Sequence, residues 1–242
     1  FTNKSHFTMK EDYSDIVKTY ESLTPEIVEQ YNNSSSMSKI RIEGPSKAAV
    51  TINKKLTFVD TPGPNNSSDN SHRKTMKQAL HGDYDKILYI LNSTQLSTTD
   101  DMHLLHDIHE TVRKNPTIPV YFIVNKVDEF DNNSNENIEI LRQNVHKYLQ
   151  EQGFESPTIL FVSALTAKLV QNEINNQPMS RKERTQLRIF YDMMLDEDYN
   201  LSQYTVHGNE KIANPIQFNE NLTDEQKKLL IHSGITEILS YL

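Results

Sequence analysis

The chain has 242 residues and 28.0 kDa, 36% of them hydrophobic and 24% charged, which is enough apolar material for one large domain or two small ones. Its 25 Lys and Arg against 33 Asp and Glu leave a net charge of −8, which argues against a nucleic-acid partner, since such proteins present a basic face. The absence of cysteine excludes a disulfide framework, a thiolate metal site and a cysteine nucleophile.

Taken in chain order, residues 11–31 read as two short helices. Tyr13, Ile16, Val17 and Tyr20 share one face of the first, and Thr24-Pro25-Glu26 caps the second with proline at its first position. Residues 32–38 are a polar loop. Ile40 and Ile42 alternate with Arg41 and Glu43 as a half-buried strand that turns at Gly44-Pro45. Four short apolar runs follow, at 56–59, 86–91, 120–124 and 158–162. They are continuous rather than alternating, as strands covered on both faces are. Helical patterns separate them at 72–81, 100–114 and 136–152, the last ending at Gly153. Strand and helix alternating at this length predict an α/β fold: a doubly wound, mostly parallel sheet with helices on both faces.

Residues 168–233 break the rhythm. They read as helical at 181–195 and from the Thr223 cap to His232, with a polar, loop-like stretch at 200–221 between. The block reads as an insertion before a closing helix that begins at Ile235. The expected organisation is thus an N-terminal helical segment at 1–37, a core at 38–167, the insertion at 168–233 and the closing helix at 234–242. No apolar run approaches the ~18 residues a membrane span needs. The chain starts with neither Met nor a signal-peptide core, and its last helical pattern runs to the final residue. It therefore reads as a piece of a larger cytosolic protein.

In a doubly wound sheet, ligands sit beyond the carboxyl ends of the strands. Three strand ends carry suitable residues. After the run at 56–59 stands Asp60-Thr61-Pro62-Gly63. A carboxylate there can hold Mg²⁺ through water, and the glycine leaves its backbone N–H open to a phosphate oxygen. After 120–124 stands Asn125-Lys126-Val127-Asp128. The Asp128 carboxylate matches the N1–H and exocyclic amine of guanine, a donor pair that adenine lacks in that arrangement. Lys126 can lay its methylene stem over a base, and Asn125 can tie the loop or reach the base edge. After 158–162 stands Ser163-Ala164-Leu165, where a small residue's N–H can meet the guanine carbonyl oxygen. Singly, each motif is an ordinary turn or helix-approach loop. Their order, each directly after a buried strand, points to a guanine-nucleotide site.

These motifs resemble the switch-II, base-recognition and final base-contact motifs of translation-factor-class GTPases. The Pro64-Asn65 extension, Thr94-Gln95-Leu96 after the second sheet strand and the insertion before Ser233-Gly234-Ile235 resemble the dynamin superfamily, specifically bacterial dynamin-like proteins. The resemblance covers about residues 38–242. It implies a P-loop GTPase-like fold and a GTP- and GDP-binding domain. Asp60, Thr61, Pro62, Gly63, Asn125, Lys126, Asp128, Ser163 and Ala164 would be its nucleotide-binding residues, with Mg²⁺ reached from Asp60 through water. In the complete protein it implies GTP hydrolysis, self-association through the GTPase face, and a cytoplasmic protein that meets membranes through segments outside this chain. It assigns no catalytic residue.

The chain departs from that family at the phosphates. Its six glycines, at 44, 63, 82, 153, 208 and 234, form neither Gly-rich phosphate cradle, and no residue stands out as the switch-I threonine. The chain alone is therefore expected to be inactive. The rival reading is a non-hydrolysing interaction module that kept the base-side motifs. A small signalling-type GTPase is disfavoured by the insertion. His103, His106 and His109 drift around a helix at three-residue spacing and read as a solvated face rather than a metal site.

Overall fold

The structure is a computed structural model that describes residues 7–10, 17–20, 26, 29, 41–43, 49–50, 55–61, 79–80, 82–130, 137–209 and 216–242. Two compact units divide the chain at Ala48/Ala49. In the first, β1 (Phe7–Lys10) pairs antiparallel with β2 (Val17–Tyr20) and with β3 (Arg41–Glu43), in the order β2-β1-β3. Phe7 faces Tyr20 across one ladder, and Met9 faces Ile42 across the other.

This corrects the expected first helix. Val17 and Tyr20 have helical spacing, but Val17, Thr19 and Tyr20 are also β-branched or aromatic, and a complete ladder to β1 decides for the strand. Glu26 and Glu29 are helical, as the second pattern predicts; the remainder of that helix lies outside the described residues. β3 lies where alternation placed it.

The second unit is built on the parallel sheet β4-β5-β6, with β4 at Ile87–Asn92, β5 at Val120–Asn125 and β6 at Thr158–Phe161. Ile87 is level with Val120, and Tyr121 with Thr158, so the carboxyl ends of the strands finish together. Between the strands run α1 (Thr99–Lys114) and α2 (Ile138–Glu151); α3 (Ala164–Ile174) leaves β6 directly. Each starts where a short polar side chain caps it: Thr98 accepts from the Asp101 amide, Asn137 from Glu139 and Ser163 from Thr166. Asp100 and Asp101 in the first turn of α1, and Arg113 and Lys114 in its last, suit the helix dipole.

Alternate residues of the strands build the two layers. Tyr89, Leu91, Phe122, Val124, Ile159 and Phe161 face the main core with Leu105, Ile108, Val145 and Leu149 from α1 and α2. Tyr121, Ile123, Leu160 and Val162 face the opposite side, under α6 (Ile235–Tyr241), whose Tyr241 ring lies 5.0 Å from that of Tyr121. The sheet is therefore covered on both faces, and the α/β fold expected from the continuous apolar runs is present.

Helices also stand at both places where the 168–233 block predicts them, as α4 (Arg181–Met194) and α5 (Asp224–His232), each opened by a reciprocal capping box, Ser180 with Glu183 and Thr223 with Gln226. His232, buried on α5, donates from Nδ1 to the Met194 carbonyl at 2.6 Å and so pins α5 to the end of α4. The polar stretch between them is not all loop. It holds two 3₁₀ turns, at Glu197–Tyr199 and Leu201–Tyr204, and then Val206 exchanges backbone bonds of 2.9 Å with Ile159. One edge of the sheet is thereby covered.

The other edge is not. Among the described residues, β4 has no ladder partner on its outer side, and Ile90 is 57% exposed where its row-mate Ile123 is 3% exposed. This bears on the expected strand at 56–59, which the structure corrects. Residues 55–61 have no regular structure, and Phe58 and Val59 are 65% and 63% exposed. A strand is stable only as part of a ladder that satisfies its amides and carbonyls, and Leu56–Val59 has none among the described residues. The helix expected at 72–81 lies outside the described residues except for Ala79 and Leu80, which are helical. No helix among the described residues is long and apolar enough to cross a membrane.

Candidate guanine-nucleotide site

The carboxyl ends of β5 and β6 lie side by side and are joined by three bonds, and a fourth ties the β6 end to a turn beyond. The Ala164 amide donates to Asn125 Oδ1 at 3.1 Å, and the Val162 amide donates to the Val124 carbonyl at 2.9 Å. In return the Val127 amide reaches the Val162 carbonyl at 3.4 Å. Finally, the Ser163 amide donates to the Ser233 carbonyl at 2.9 Å, tying the β6 end to the turn between α5 and α6. Asn125 thus performs one of the two roles its amide allows: it ties the loop.

Beyond Asn125 the chain turns abruptly. Lys126 is left-handed, at φ 67° and ψ 29°, a conformation L-residues seldom hold outside turns. Val127–Glu129 then form one 3₁₀ turn, with Val127 driven into the core at 2% exposure. That buried valine fixes the turn and holds its neighbour Asp128 at the rim. The half-buried Asp128 carboxylate has no hydrogen-bond or ion-pair partner among the described residues. Lys126 reaches out beside it, half-exposed, with its Nζ 3.9 Å from Glu129. A carboxylate with two open acceptor positions beside a long aliphatic stem suits a planar ligand with paired donors.

Ser163 occupies a different place from Ala164. It is fully buried, its Oγ lies 2.8 Å from the Thr166 hydroxyl, and it accepts the Thr166 amide as the N-cap of α3. Its side chain therefore shapes the loop, while Ala164 and Leu165 are exposed above it. The Ala164 amide is held by Asn125; that of Leu165, in the first turn of α3, has no partner among the described residues and points the same way along the helix.

Asp60 and Thr61 are exposed, in the segment without regular structure, and no hydrogen bond among the described residues joins them to the base-side group. Pro62 and Gly63 lie outside the described residues. The structure thus brings together Asn125, Lys126, Asp128, Ser163 and Ala164. A single carboxylate suits Mg²⁺ only as one of several ligands, the others being water and phosphate oxygens. Asp60 fits that outer role and no fuller one, and no group of three metal-ligating side chains occurs among the described residues. His103 and His106 are exposed, whereas His109 is half-buried and packs edge-on against Phe154 at 5.5 Å, so the row is solvated at two of its three positions and is part of the packing at the third.

One residue that sequence reasoning passed over belongs to the site. Ser93, just after β4, is buried; its Oγ donates to the Lys126 carbonyl and its amide donates to the Asn125 carbonyl, both at 3.0 Å. A serine after a strand carries no chemical signature, and only the level ends of β4 and β5 reveal it.

A parallel sheet whose strand ends present an Asn-Lys-x-Asp turn beside a Ser-Ala helix start defines a nucleotide-binding protein of the GTPase class. The sequence model of the Gtr1/RagA G protein conserved region matches residues 21–169, more than half of the chain, and the chain belongs to this family. The chain is also similar to the clamp-binding protein CrfC of Escherichia coli strain K12, at 33% identity over 82 residues. That segment is 34% of this chain and 10% of CrfC. A second Escherichia coli sequence of the same name matches to the same extent.

Proposed function

We propose that this chain carries the base-recognising part of a GTP-hydrolysing, dynamin-like large GTPase. The observation that carries the reading is the Asp128 carboxylate, without a partner among the described residues and at the rim of a turn that is braced from both neighbouring strands. Asp128 accepts from guanine N1–H and the exocyclic amine, Lys126 covers the ring with its stem, Asn125 positions the loop by holding the Ala164 amide, and the next amide, that of Leu165, meets the guanine carbonyl. Ser163 acts beneath them as the cap that sets the start of α3. The phosphate side is the part that Asp60, Thr61, Pro62 and Gly63 serve, with Mg²⁺ bound through water at Asp60 and its remaining ligands drawn from phosphate. When bound, that ion would offset the charge that develops on the transferred phosphoryl group.

The dynamin-like assignment rests on Pro64-Asn65, on Thr94-Gln95-Leu96 and on the α4–α5 insertion that closes on Ser233-Gly234. With it come self-association through the GTPase face, a cytoplasmic location and membrane contact through segments outside this chain. The second reading, a module that binds without hydrolysing, is the one that Asp60 favours: it stands exposed, with no hydrogen bond to the base-side group among the described residues.

Calorimetry of this chain with GDP and GTP tests the first part. A base pocket without a phosphate nest supports roughly millimolar affinity, about −4 kcal/mol. GTP turnover by the full-length protein separates the two readings: measurable turnover supports the hydrolase, and guanine-selective binding without turnover supports the module.

A further inference from the structure

We propose that Ser93 is the positioning residue of the base-recognition turn, and that the loop it opens, 93–98, sets the affinity and selectivity for guanine from outside the pocket. The inference rests on the reading of Asp128 as the guanine-recognising carboxylate.

The geometry is specific. The Asn125-Lys126 backbone must leave β5, reverse into the left-handed region at Lys126 and re-enter the core at Val127. Nothing in the side chain of lysine favours that conformation. Two bonds from one buried residue hold it: the Ser93 amide takes the Asn125 carbonyl and the Ser93 hydroxyl takes the Lys126 carbonyl, at 3.0 Å each. These are consecutive carbonyls across the reversal, so Ser93 fixes the peptide orientations on both sides of Lys126. Asp128 follows two residues later, and its carboxylate inherits that orientation.

Ser93 is itself fixed. Asn92 forms an Asx turn, accepting the amide and hydroxyl of Thr94 at 3.2 and 3.0 Å, and its carbonyl takes the Gln95 amide at 3.1 Å. Ser97 then turns left-handed, at φ 64°, before the Thr98 cap of α1. The loop that contains Thr94-Gln95-Leu96 thus presents one hydroxyl, on a residue only 5% exposed, to a carbonyl at the end of the neighbouring strand. Alanine at 93 would keep the amide bond and the packing but lose the hydroxyl, leaving the Lys126 carbonyl with only the Glu129 amide of its own 3₁₀ turn, at 3.1 Å, and no bond to β4.

The test uses the full-length protein, titrated calorimetrically with GDP and with IDP, which lacks the exocyclic amine that Asp128 accepts. Ser93→Ala is expected to weaken GDP about 5- to 30-fold, the effect of one buried hydrogen bond, and to weaken IDP less, so that the GDP/IDP preference shrinks. Ser93→Thr, which keeps the hydroxyl, is expected to restore both. Thermal stability reports any purely structural effect, which would not alter the GDP/IDP ratio. Should Ser93→Ala fail to fold, Thr and Val at 93 have nearly equal shape and differ in the hydroxyl, so the ratio between those two variants decides. If Ser93→Ala, or the Thr/Val pair, leaves the ratio unchanged while Asp128→Asn abolishes it, the role of Ser93 is refuted and the base site stands. If Ser93→Thr does not rescue, the hydroxyl is not the agent. If the wild type shows no preference for GDP, the reading of Asp128 fails and this inference with it.

Discussion

Gly234 is the position at which one methyl group should do the most damage to this site from outside it. Its φ is +74°, and a Cβ built there would fall on the Phe161 carbonyl oxygen, with Val162 Cγ1 at 3.3 Å. The obstructing atom is backbone at the end of a fully buried strand, so no side-chain rotation relieves it. Placing an L side chain in the left-handed region costs about 1–2 kcal/mol. Moving the turn away from β6 breaks the bond from the Ser163 amide to the Ser233 carbonyl, between two residues with 0% exposure, and an orphaned buried amide costs about 1–3 kcal/mol. These costs come to about 2–5 kcal/mol; alanine restricts the unfolded chain by about 0.4–1 kcal/mol in its favour, so Gly234→Ala should destabilise the second unit by about 1–4.5 kcal/mol net. Urea unfolding followed by circular dichroism measures it. Gly153→Ala is the control: its φ is +96°, but the nearest atoms are those of the His109 ring, which can move, so only the backbone part of the cost remains. A loss below about 1 kcal/mol for Gly234→Ala, or one equal to that of Gly153→Ala, would refute the argument that close approach to β6 decides this position.

The other predictions concern the cap, the base and the closing helix. Ser163→Ala removes the N-cap of α3 and leaves the buried Thr166 hydroxyl without its partner, so it should cost about 1–2 kcal/mol in unfolding free energy; Ser163→Thr, which keeps the cap, should cost less. Asp128→Asn in the full-length protein should shift preference from guanine toward xanthine and weaken GTP about 30- to 1,000-fold in calorimetry; unchanged GTP affinity would sink the assignment. Glu237, half-buried on α6, has its carboxyl raised above the ordinary range by burial, with His207 partly opposing. The stability linked to its protonated form is complete below the unfolded value and is lost as pH rises through the raised one. Glu237→Gln should accordingly flatten the fall in urea midpoint across that window and leave the midpoint unchanged at lower pH.

How much of this could be read from sequence depended on whether local pattern and tertiary partner agreed. The runs at 86–91, 120–124 and 158–162 are apolar on both faces because helices cover both faces of the sheet, and each became a strand within a residue or two. The run at 56–59 looks the same in one dimension, yet it has no ladder among the described residues and stays irregular. At Val17–Tyr20 the error ran the other way: a helical period over four residues was overridden by pairing with β1. Caps were legible where a Ser, Thr or Asn precedes a periodic segment, as at Thr223. Ser93 was not, because its importance lies in facing residues 32 and 33 positions away, which only the parallel register supplies. The candidate site residues stand out in the sequence because the proposed guanine recognition needs particular side chains at consecutive positions, whereas their support can be built in many ways.

The two edges of the sheet bear on how the site is divided. At β6 the chain closes its own edge: Val206 pairs with Ile159, and the Gly208 amide donates to Thr158 Oγ1 at 3.2 Å. The residues proposed for the base side stand at the ends of β5 and β6, braced from β4 by Ser93 and from the α5–α6 turn by Ser233. At β4, the amides of Ile87 and Ser93 point toward β5, and by alternation those of Leu88, Ile90 and Asn92 face the outer edge, where they meet no ladder among the described residues. Asp60 and Thr61, the residues assigned to the phosphate side, are the ones without such bracing. The two halves should therefore respond separately. Substitutions at Asp128, Ser93 or Ser163 are expected to change which base is preferred, and a substitution at Asp60 to change the dependence on the γ-phosphate; paired titrations of each variant with GDP, GTP and IDP check this, and a shift in base preference on changing Asp60 would refute the division.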